Sequence, residues 1–97
     1  MYTIEDFREN NKAENIIISM QGQMRMHEKG LTIGDVMSVI DSGEIVEEYP
    51  DEFPFESCLI MGWSVDGKYM QIVLSMNENN IYLILVHTVQ EMMMAEG

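Results

Sequence analysis

The chain has 97 residues, 46% of them apolar, with 17 acids against 5 bases for a formal net charge of −12. That length holds one core and so one domain, and that apolar content excludes intrinsic disorder. The acidity disfavours direct nucleic-acid binding and anionic membranes, because both affinities come largely from Lys and Arg meeting phosphate.

The opening MYTIEDFREN has neither a basic start nor an apolar signal core, so no secretory signal is expected. A short helix is predicted over 3–12: Thr3 can cap it, Glu5 and Asp6 suit its positive end, and Ile4 with Phe7 form an apolar edge. Residues 13–15 interrupt the pattern. The β-branched Ile16, Ile17 and Ile18 can run extended before a second helix over 19–29, which Gly30 ends in a left-handed cap. Met20 and Met24, four apart, are expected to face the core. Thr32 followed by Asp35 is a capping-box variant, and Ile33, Val36, Met37 and Ile40 continue at helical spacing to about Asp41. Ser42-Gly43 ends this third helix.

From Gly43 onward the period changes. Strands are predicted over 44–49, 57–65, 68–76 and 81–88. An acidic, proline-punctuated loop separates the first two, Asp66-Gly67 makes a hairpin, and residues 77–80 turn. Residues 91–96 are expected to add a helical turn or fray. The fold class is α+β: N-terminal helices packed on one face of an antiparallel four-stranded meander sheet. No apolar run is long enough to span a bilayer. Cys58, alone in the sequence and inside an apolar strand, reads as a small buried hydrophobe, and a reduced cytoplasmic setting is expected.

Three runs, RMHEKGLT, DVMSVIDSGEIVEEYPDEFPFESCLIMGW and DGKYMQIV, resemble a bacterial family known as domain of unknown function 4258. The resemblance covers about residues 19–90 and is most specific from GEIVEEYP through SCLIMG. It implies kinship with small toxin-like ribonucleases. It also implies a histidine four residues before Arg25, where this chain has Gln21, and a second in the third strand, where it has Gln71. Arg25 and Glu28 match the family pattern, and Lys29 replaces an arginine. The threonine and tyrosine of the family's last strand fall at about Leu85 and His87, its proline falls at Val89, and its basic tail has no counterpart here.

Metal-independent RNA cleavage needs a base for the 2′-hydroxyl proton and an acid for the leaving oxygen. Histidine suits both roles, whereas glutamine cannot transfer a proton in the working range. The reduced catalytic set that remains is Arg25, Glu28 and His87. Each has a plainer role: Arg25 and Glu28 as a helix-surface ion pair, His87 as a partly buried polar residue, and His27 as an exposed one. Two histidines and one cysteine make no zinc spacing, so neither metal nor cofactor is expected.

The segment EEYPDEFPFE interleaves Glu47, Glu48, Asp51, Glu52 and Glu56 with Tyr49, Phe53 and Phe55. Carboxylates among aromatics can meet an arginine-rich surface; the alternative is a loop whose aromatics pack on the sheet. The expected function is a non-catalytic acidic protein-binding module. Its most concrete form is an antagonist of a basic, nucleic-acid-handling protein, in the manner of phage anti-defence proteins. The alternatives are a weak ribonuclease using the reduced set, and an antitoxin or oligomeric structural protein, with a homo-oligomer compatible with either.

Overall fold

A computed structural model describes residues 2–51 and 56–88. The expected turn over 91–96 and the middle of the acidic loop lie outside the described residues.

The helices begin where their caps dictate. In α1 (Ile4–Glu9) the Thr3 hydroxyl accepts from Asp6 N–H while the Asp6 carboxylate accepts from Thr3 N–H. The helix is shorter than the predicted 3–12, and a 3-10 turn (Ala13–Asn15) follows. Next come β1 (Ile16–Ile18) and α2 (Met20–Lys29), with Ser19 capping α2 and Gly30 closing it at φ 66°. Thr32 and Asp35 form the reciprocal capping box of α3 (Ile33–Ser42). The strands are β2 (Glu44–Tyr49), β3 (Ser57–Trp63), β4 (Tyr69–Asn77) and β5 (Asn80–Thr88). The β3–β4 turn carries Gly67 at φ 85°, which a side chain would resist. There the Ser64 hydroxyl donates to Asp66 at 2.7 Å and holds that carboxyl below its usual range.

The sheet is mixed and five-stranded, in the order β1-β5-β4-β3-β2, which corrects the expected four-stranded antiparallel one. The meander from β2 to β5 is antiparallel as read, but β1 adds to its outer edge in parallel, with Ile16, Ile17 and Ile18 opposite Ile81, Tyr82 and Leu83. A parallel pair needs a long crossover. Here the crossover is everything between β1 and β5.

One sheet face carries the core. Ile60, Ile72, Leu74 and Leu83 are fully or almost fully buried against Phe7 of α1, Met26 of α2, and Val36, Val39 and Ile40 of α3. Side chains of this kind contribute roughly 1.5–3 kcal/mol each on burial. Polar links fix how the helices sit. Arg8 donates through Nε to Ile40 O at 3.2 Å and through Nη2 to Gly43 O at 2.8 Å, meeting carbonyls at the end of α3. Asp35, nearly buried, accepts from Thr32 N–H at 2.8 Å and from Val65 N–H at 3.1 Å, tying the start of α3 to the β3–β4 hairpin. Among the described residues no helix is long and apolar enough to cross a membrane.

Candidate functional site

The site arises from a short strand beside a long one. β1 pairs only with residues 81–83, so beyond Leu83 the edge of β5 meets α2 instead. Ser19 makes the switch: its N–H donates to Leu83 O at 3.2 Å, its hydroxyl to Ile84 O at 3.4 Å, and Gly22 N–H donates to that hydroxyl at 3.0 Å. A Cβ on Gly22 would stand 3.0 Å from both Ile18 Cγ2 and Ser19 Oγ, so the glycine lets α2 close onto the strand. Opposite it, β5 carries a bulge. Val73 faces Leu85 while Leu74 faces Leu83, which leaves Ile84 as the extra residue. Bulges re-aim side chains, and here Ile84 and Leu85 in succession are exposed.

Between the helix and the bulged strand lies a cavity of about 240 Å³, lined among the described residues by Gln21, Gly22, Arg25, Ile84, Leu85, Val86 and His87. Arg25 Nη2 stands 3.5 Å from His87 Nδ1, a long approach. A guanidinium only donates, so this contact is a hydrogen bond only when Nδ1 carries no proton. Gln71 pairs directly opposite His87 across β4 and β5, and its amide donates to Met61 Sδ at 3.5 Å.

Three of the residues predicted from sequence, Gln21, Arg25 and His87, therefore share one cavity, with Gln71 as the cross-strand neighbour of His87. Glu28 does not join them: it is exposed and outside the lining. His27 is exposed as expected, and His87 is half-buried. Gly22 and Ile84 were not foreseen. A glycine inside a helix is a weak signal of close packing, and nothing local marks the bulge.

Met20 and Met24 correct an expectation. They are 79% and 60% exposed, whereas Gly22 and Met26 are buried. At 100° per residue the buried pair lies opposite the exposed one, so α2 docks through Gly22 and Met26 and not through Met20 and Met24.

The acidic residues proposed for binding lie at the other edge of the sheet, on and after β2. Glu47, Glu48 and Asp51 are exposed, and Tyr49 Oη donates to Glu47 Oε2. Glu52, Phe53 and Phe55 lie outside the described residues. The β2 edge also bulges between Ile45 and Glu47; charge and bulge together guard an edge strand against unwanted pairing. Cys58 is buried as expected, and burial, then Glu48 and Glu56, push its thiol up to about 12.

No curated protein and no solved structure matches the chain. A family model, domain of unknown function DUF4258, matches residues 18–90, a stretch that contains α2, α3, four strands of the meander and every residue of the cavity. The chain belongs to the DUF4258 family.

Proposed function

We propose that this protein is a non-catalytic member of its family that works as an acidic protein-binding module, directed at a partner with a basic surface in the cytoplasm. The observation that carries the reading is the content of the cavity among the described residues: one imidazole, one guanidinium and one carboxamide. Transfer of two protons needs two acid/base side chains, and among the described residues of the lining His87 is the one histidine or carboxylic acid. Glu28, the other member of the reduced set, stands outside it. A single guanidinium also offers little stabilisation to a pentacoordinate phosphate inside a chain of net charge −12.

The second reading is a weak ribonuclease, and one observation favours it: Gln21, Arg25 and His87 converge on one concave site. Incubation of the purified protein with fluorogenic RNA separates the two. The binding reading predicts cleavage no faster than with an Arg25→Ala variant. Cleavage that Arg25→Ala or His87→Ala abolishes would replace it with the enzymatic one.

A further inference from the structure

The second face of the sheet points to what the partner brings. Antiparallel partners project to the same side, so the register aligns Glu44, Met61 and Gln71 in one row and Glu47, Leu59 and Val73 in the next. Helix side chains build the core on the opposite face, while α2 reaches this one at the far end of the first row, where Arg25 approaches His87 beside Gln71. At its hairpin end Trp63 pairs with Tyr69, their ring centroids 4.5 Å apart and tilted by 52°, with Trp63 51% exposed. The backbone beneath the indole is fixed. Ser38 Oγ donates to Trp63 O at 2.8 Å, and Trp63 N–H donates to Ser42 Oγ at 2.9 Å. An aromatic pair on a fixed backbone, with Glu44 one row away and Glu47 two, costs less entropy to engage than a mobile segment would.

We infer that this face docks a cationic protein segment through its arginines, with Trp63 and Tyr69 as the stacking platform and Glu44 and Glu47 as the ion-pairing rim. The inference rests on the protein-binding reading and names the partner's chemistry. Arginine fits both halves of the surface, because its planar guanidinium stacks on aromatic faces and forks onto carboxylates, whereas lysine does neither as well. Apolar exposure alone would also suit a second copy, but two chains each at −12 repel one another. The same sign turns away nucleic acid and anionic lipid.

Trp63 is the one tryptophan in the chain, so its fluorescence reports on this face directly. The probes are a short alternating Arg–Thr peptide and its Lys–Thr counterpart, titrated into the full chain at low and moderate salt. The expected result is a saturable change in Trp63 emission, weakened by salt and several-fold weaker with lysine. Glu44→Gln/Glu47→Gln is expected to weaken binding by roughly five-fold or more, and Glu9→Gln/Glu14→Gln, exposed acids of the helical side, to leave it unchanged. Equal weakening by both pairs would overturn the proposal in favour of diffuse attraction. A peptide seen to bind by sedimentation while emission stays constant would overturn this surface and leave the protein-binding reading standing. A concentration-dependent emission shift without peptide would assign the face to a second copy. RNA cleavage by the protein would overturn the parent reading whatever the peptides do.

Discussion

Cys58 sits opposite Leu74 on the helix-covered face, with Glu48 across from it on the edge strand. Its thiol is held neutral by burial first and by nearby carboxylates second, from an ordinary 9.0 up to about 12. The unfolded chain therefore releases this proton at a lower pH than the folded one. Between pH 9 and 12 the folded state holds the extra proton, so stability present below pH 9 is lost as pH rises through that window. Iodoacetamide labelling near neutral pH is predicted to be at least roughly ten-fold slower in native than in urea-unfolded protein. Equal rates would contradict the burial of this side chain. The residue's inert character was legible in the sequence, since a lone cysteine among apolar neighbours has no activating group. The exposure of Met20 and Met24 was not, because a run of methionines shows that a helix is amphipathic without showing which side is docked.

Elements whose boundaries are set locally were legible. Thr3, Gly30, and Thr32 with Asp35 cap where the sequence places them, while Ser19, read as the first helical residue, is the cap of α2 and Asp6 completes a capping box with Thr3. β1 was not legible as a sheet strand. Three isoleucines carry no record of a parallel partner sixty-odd residues later, at Ile81–Leu83. The cavity inherits that difficulty, since it exists only because β1 stops short and Ile84 bulges. The end of α3 meets β3 through two glycines, Gly43 and Gly62. A Cβ on Gly62 would stand 2.6 Å from Val39 O and 2.8 Å from Gly43 Cα, both backbone atoms that cannot yield cheaply. Gly62→Ala is predicted to cost about 3 kcal/mol or more in urea denaturation, whereas Gly34→Ala, where a Cβ meets nothing nearer than 3.4 Å, is predicted to be neutral or stabilising by up to about 1 kcal/mol. A Gly62→Ala loss below about 1 kcal/mol would contradict this packing.

At the scale of the whole molecule, 17 acids on 97 residues leave the folded chain under self-repulsion. Added sodium chloride screens it, so the melting temperature is predicted to rise by a few degrees between about 10 mM and about 200 mM salt. A flat or falling melting temperature would mean that specific ion pairs outweigh the net charge. The two edges of the sheet divide the chemistry: α2 and β5 hold the cavity, while β2 and Trp63 of β3 hold exposed carboxylates and the exposed indole. The register sets Glu44, Met61, Gln71 and His87 in one row, so the cavity and the carboxylates lie at opposite ends of the same sheet face.

The measurement that bears most directly on the central claim is cleavage of a fluorogenic RNA by the natural protein beside a folded Gln21→His/Gln71→His variant. The account predicts background rates for the natural protein, with any activity confined to the variant, where a second and third imidazole would join His87. Cleavage by the natural protein that is lost on His87→Ala would contradict it and make the cavity an active site.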